Sequence, residues 1–207
     1  MSTNLISPTS SDFLETLTKA AALGQKSARP PAAEVVQALL ETEKFTKQQR
    51  INYPLESLIG SWRLHFVVSP KKSRQRSGVK MGNGFYVPKF VKAQISLSPA
   101  ETDSNLNPNQ LKIANQLHVG TISFKFNGPA KYLGKKNLLA FEFTQFQLGF
   151  LGLTIYSGGF RGGEKKNQEF EQKHIRDLPF FAFFAINEKY IAARGRGGGL
   201  AIWVKEV

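Results

Sequence analysis

The chain has 207 residues, 41% hydrophobic and 21% charged, with a formal net charge of +13; these are the proportions of a globular domain with an anionic partner. It contains no cysteine, which excludes a disulfide framework, a thiolate nucleophile and a cysteine-based metal site. The longest apolar run, Leu178–Ile186, has nine residues, far short of the roughly 18 that a membrane-spanning helix needs.

Residues 1–10 are rich in Ser and Thr and read as a flexible tail. They lack a charged segment followed by an apolar core, so no signal peptide is expected. Asp12, with Glu15 three residues on, predicts an N-cap and capping box. Phe13, Leu14, Leu17 and Ala21 then form a stripe at helical spacing that Gly24 can end. "GQKSARPP" is a linker. Pro30 and Pro31 start a second helix, "AAEVVQALLETEKF", with Val35, Val36, Leu39 and Leu40 on one side. Pro54 closes this part, so residues 11–54 are expected to be a helical lead-in packing on a domain at 55–207. Up to residue 57 the chain carries six basic and six acidic side chains; residues 58–207 carry 22 and 9. The positive excess belongs wholly to the second part.

From Leu58 the pattern turns to β. In "LIGSWRLHFVV" alternation puts Trp62, Leu64, Phe66 and Val68 on one face, and Ser61, Arg63, His65 and Val67 on the other. Further strands are predicted at 84–87, 91–97, 111–118, 120–127, 137–148, 152–157, 180–186, 189–194 and 199–205, many separated by Gly, Pro or Asn clusters. So many short strands in one mainly β domain suggest a sandwich or an up-and-down barrel. Ile122, Phe124 and Phe126 share a face, as do Leu139, Phe141 and Phe143. After Thr144-Gln145 the apolar phase moves to Phe146, Leu148 and Phe150, the mark of a β-bulge. Together with Leu64 and Phe66, these aromatics either fill a small barrel or line an apolar cavity. A cavity of this lining suits an isoprenoid, carotenoid, quinone or acyl chain.

Three other stretches bear on function. "SPKKSRQRSGVK" places Lys71, Lys72, Arg74, Arg76 and Lys80 in the loop after the first long strand. They are either a solvated hairpin or a contact for an anionic membrane, at about 1 kcal/mol per charge before salt screening. "PFFAFFAI", within Phe180–Ile186, is apolar on both faces, so its outer face is expected to lie under the N-terminal helices; otherwise it meets lipid or a protein partner. His65, His118 and His174 have no metal-ligand or paired-acid spacing, and the Gly-rich segments lack the Walker pattern. No catalytic residue, metal or obligatory cofactor is expected.

Gly60-Ser61-Trp62 opens the first long strand, and "YIAARGRGGGLAIW" closes the chain with a strand ending in Arg-Gly, a Gly-rich turn and a last apolar strand. This combination resembles the plastid lipid-associated protein (fibrillin) family of chloroplasts and cyanobacteria over about residues 55–205. The resemblance implies a lipocalin-like antiparallel up-and-down β-barrel preceded by two short α-helices. Its closing signature is Gly60, Trp62, Arg194 and Gly195, with Arg194 packed over the indole as a cation–π cap. It further implies a non-enzymatic, lipid-binding protein held peripherally on the cytoplasmic or stromal side of a thylakoid, or on a plastoglobule. Two features depart from the family: Arg196 stands where an acidic residue often follows the Arg-Gly, and the preceding acidic pair is reduced to Asn187-Glu188. Two competing readings remain at the level of sequence. One is a scaffold with a solid core that docks another protein. The other is a basic barrel binding single-stranded nucleic acid, disfavoured because the phenylalanines follow the inward phase and no RNP-type motif is present.

Overall fold

The structure, a computed structural model, describes residues 10–22, 29–70, 81–100, 111–160, 169–170 and 172–206. Helix α1 runs Ser10–Ala21 and α2 runs Ala32–Gln49. α1 begins ahead of Asp12, so this carboxylate lies in the first turn, where it complements the helix dipole, and not at the N-cap. Phe13 and Leu17 of α1 and Val35 and Leu39 of α2 join one apolar layer.

The strands are β1 (Gly60–Pro70), β2 (Met81–Tyr86), β3 (Val91–Pro99), β4 (Leu111–Val119), β5 (Ile122–Leu133), β6 (Leu138–Phe141), β7 (Gln145–Phe150), β8 (Leu153–Gly159), β9 (Phe180–Ile186), β10 (Tyr190–Gly195) and β11 (Leu200–Lys205). Eight of them close an antiparallel barrel in the order β4-β3-β1-β11-β10-β9-β6-β5, with β5 pairing back to β4. The fold is therefore mainly β, a barrel of the lipocalin-like kind behind two helices. Strand alternation and turn spacing leave a sandwich open; closure through the β4–β5 pairing settles the choice.

Two layers of side chains hold it together. Trp62, Ile113, Leu139, Ile191 and Trp203 pack inside the barrel. Phe66, Phe184, Tyr190 and Ile202 pack between the barrel wall and the helices. β1 serves both layers because its register with β11 shifts between Leu64 and Phe66. His65 is the extra residue of that bulge, and a bulge inverts the alternation beyond it. Trp62 and Leu64 thus face inward, while Phe66 and Val68 face the helices. Strict alternation, which puts all four on one face, is corrected here.

Two walls of the barrel are long strands with a break. β2 pairs with the Phe66–Pro70 half of β1 and β3 with the Gly60–Arg63 half, the chain turning at 87–90 in between. β6 and β7 likewise pair with successive halves of β5, broken at 142–144. The single bulged strand expected over 137–148 is thus two strands. The cause is Gly128 on β5. A Cβ at this position would sit 1.8 Å from the Glu142 carbonyl oxygen, so only glycine lets the kinked backbone cross so closely. Past the kink, β7 parts from β9 and takes β8 as its neighbour. The ends of β3, β4 and β5 therefore continue with β7 and β8 as a flap beyond the closed barrel.

Phe180–Ile186 is covered on both faces by the chain itself. Phe181 and Phe183 face the interior, Phe184 lies under the helices, and Phe180 packs with Phe170 and Leu178.

Candidate functional site

One end of the barrel is sealed by its own side chains. A short helical turn at Leu55–Leu58 leads into β1, and the Trp62 indole N–H donates to the Leu58 carbonyl at 2.8 Å. Trp62, Leu97, Ile113, Leu139 and Ile191 are all fully buried there. The cation over Trp62 is Lys205, its register partner on β11, with Nζ 5.3 Å from a ring centroid.

Arg194 is not that cation, and the expectation is corrected. Ala193 points inward with the interior cluster, so the next residue of β10 points outward. There Arg194 grips α2: Nε donates to Glu43 Oε1 at 2.8 Å, Nη2 donates to Oε2, and Nη1 donates to the Gly198 carbonyl at 2.6 Å. Gly195 closes the adjacent turn through its N–H to the Gly199 carbonyl, 2.9 Å. Burial pushes the Glu43 carboxyl up, but hydrogen bonds from Arg194 and then Lys47 outweigh it and hold the group below the usual range.

From the interior a run of aromatic contacts leads outward. Trp203 meets Phe181 at 5.3 Å between centroids, Phe181 meets Phe141 at 5.1 Å, and Phe141 meets Phe143 at 5.2 Å. Phe143 meets Phe126 at 5.6 Å and Phe126 meets Phe146 at 5.1 Å. Phe124 and Tyr156 each lie 6.2 Å from Phe146. Trp203 and Phe141 are buried, the next four phenylalanines half-buried, and Tyr156 exposed. The strip climbs from packed core to an accessible aromatic surface, its rings held by mutual contacts worth about 0.5–1.5 kcal/mol each beyond area burial.

Of the residues expected to line a site, Phe124, Phe126, Phe141, Phe143 and Phe146 meet in this strip. Leu64 packs on the interior cluster that holds Trp203. Ile122 stands at the far end of the flap, largely exposed. Phe66 faces the helices, turned away by the β1 bulge. Trp203 and Tyr156 lie outside the site residues expected from sequence, and Phe181 is expected only as part of the apolar stretch Phe180–Ile186, although the inward phase of β9 and β11 carries Phe181 and Trp203. Lys71, Lys72, Arg74, Arg76 and Lys80 lie outside the described residues.

His65, expected on an outward phase, is buried in the bulge, edge-on to Tyr86 with 5.7 Å between ring centroids. Burial first, then the nearby charges of Arg29 and Arg63, lower its pKa from 6.5 to about 4. Among the described residues no group of three or more His, Cys, Asp or Glu is gathered to hold a metal. No helix among them is long and apolar enough to cross a membrane. Compared with protein-family models, curated proteins and solved structures, the chain matches none.

Proposed function

We propose that the protein binds a lipophilic molecule along the aromatic strip, works at a membrane surface, and catalyses no reaction. The ligand class is an isoprenoid, carotenoid, quinone or acyl chain, long enough to follow successive ring faces. One observation carries the reading: the strip is continuous from buried Trp203 to exposed Tyr156, and its middle is half-covered. Rings already immobilised by their neighbours lose little freedom when a ligand covers them, so the apolar area gained is offset by little ordering cost. The resemblance of Gly60-Ser61-Trp62 and the closing Arg194-Gly195 strand to plastid lipid-associated proteins is in keeping with the same class of ligand, and with peripheral residence on a thylakoid or plastoglobule.

The test is organic extraction of the full chain purified from its native membranes, with mass spectrometry, together with quenching of tryptophan fluorescence by an added polyene. A stoichiometric lipophilic molecule is expected. Phe126→Ala with Phe146→Ala should weaken polyene binding about tenfold, the effect of losing about 1.4 kcal/mol of contact. An empty extract and no quenching would leave the strip as core packing, and the protein as a docking scaffold.

A further inference from the structure

The free end of the flap carries a straight row of apolar side chains. Successive register pairs align Val91, Val119, Ile122, Phe150 and Leu153 across five strands. Beyond the row, the turns add Phe90, 72% exposed, and Leu151, 66% exposed; Leu153 in the row is itself 72% exposed. The turn tips are joined, since the Leu151 N–H donates to the Thr121 carbonyl at 2.9 Å.

Leu151 is the informative residue. It and Gly152 form a two-residue hairpin turn with φ of +51° and +82°, a conformation in which Asn-Gly is the ordinary choice. A branched apolar side chain in left-handed backbone is unfavourable and, fully hydrated, gains nothing in return. Its presence at the outermost tip is explained if the side chain is buried by something outside the chain.

Charge identifies the occupant. Residues 85–94, 115–127 and 145–160, which make this end, include Lys89, Lys92 and Lys125 and no Asp or Glu. All three lysines are exposed. Apolar tips rimmed by lysine match the boundary between acyl chains and anionic headgroups. We infer that the three turns at 87–90, 120–121 and 151–152 dip into an anionic lipid surface, with Leu151, Leu153 and Phe90 entering the acyl boundary. This deepens the membrane part of the proposed function and does not depend on the barrel holding a ligand. Pro70 and Met81 pair at the barrel end opposite Trp62, the end toward which the flap also points.

The test is flotation of the full chain with vesicles of phosphatidylcholine alone and of phosphatidylcholine mixed with phosphatidylglycerol. The wild type should float with the anionic vesicles. Leu151→Asn with Leu153→Ser should cut the bound fraction about tenfold or more, and since Asn suits the turn, a folding defect is not the expected cause. Replacing the three lysines by Gln should weaken binding to anionic vesicles and leave neutral ones unaffected. Wild-type protein that stays with the pellet, or a leucine variant that floats unchanged, overturns the inference. So does a wild-type dimer in sedimentation velocity that the leucine variant lacks while floating unchanged, because the patch would then pair two copies through β8. Polyene quenching without vesicles should be the same in the leucine variant as in the wild type. Its absence from both, with flotation intact, would sink the ligand reading and leave the lipid docking standing.

Discussion

Gly128 and His65 show how single positions shape this barrel. At Gly128 a methyl group would collide with the Glu142 carbonyl, and the backbone on both sides is committed to pairing with β5. Gly128→Ala is therefore expected to cost about 3 kcal/mol, at the upper end of overpacking effects, read as a fall in the urea midpoint. His65 makes a pH prediction. Its folded pKa is about 4 against 6.5 for the free side chain, so between those values the unfolded chain binds more protons and acid favours unfolding. Stability should be intact above about pH 6.5 and fall toward pH 4, by at most about 1.4 kcal/mol per pH unit for this one proton. His65→Gln should flatten that slope in urea titrations at several pH values. Glu43, with its lowered pKa, adds a loss of the same sign only below its unfolded value of 4.5.

Among elements, α2 and β10 are joined by an ion pair, Glu43 with Arg194. Glu43 is buried and receives two donors from Arg194. With Arg194 gone, Glu43 keeps Lys47 as its charged partner, so Arg194→Ala should cost up to about 3 kcal/mol, the low end for a broken buried pair, measured by chemical denaturation. Replacing both, with Glu43→Leu and Arg194→Met, should recover most of that, because an apolar pair has no desolvation cost to offset. If the double variant is as unstable as the single one, the pair is holding α2 through geometry that an apolar contact cannot reproduce. The β1 bulge acts at the same scale. One extra residue lets a single strand supply Trp62 to the interior and Phe66 to the helix layer.

For the whole molecule, the barrel has a sealed end at Trp62 and a splayed end at the flap. A ligand held on the aromatic strip binds the native state alone and should raise the melting temperature with the logarithm of its free concentration. Scanning calorimetry against added polyene checks this, and Phe126→Ala with Phe146→Ala should shift the rise to about tenfold higher polyene concentration. If the strip binds ligand while the turn leucines meet lipid, cargo and membrane lie at one end, a geometry suited to exchange between them.

The residues themselves determined the class of the protein. Period-two alternation and turn chemistry are local properties, and they foretell most of the strands, the two helices, the inward aromatics of β5 and the basic second part of the chain, but not that β5 runs past the expected end at 127, through Gly128-Pro129, to Leu133. Only the tertiary structure decided which face Phe66 occupies, which cation covers Trp62, where Arg194 points, and that 137–148 is two strands. Each depends on register with a partner far along the chain, Glu43 and Arg194 being 151 residues apart. A one-residue bulge or a backbone kink reverses the face of every side chain beyond it. The exposed row from Val91 to Leu153 has the same origin. Its members are scattered singly along the sequence and become a surface only when five strands end side by side.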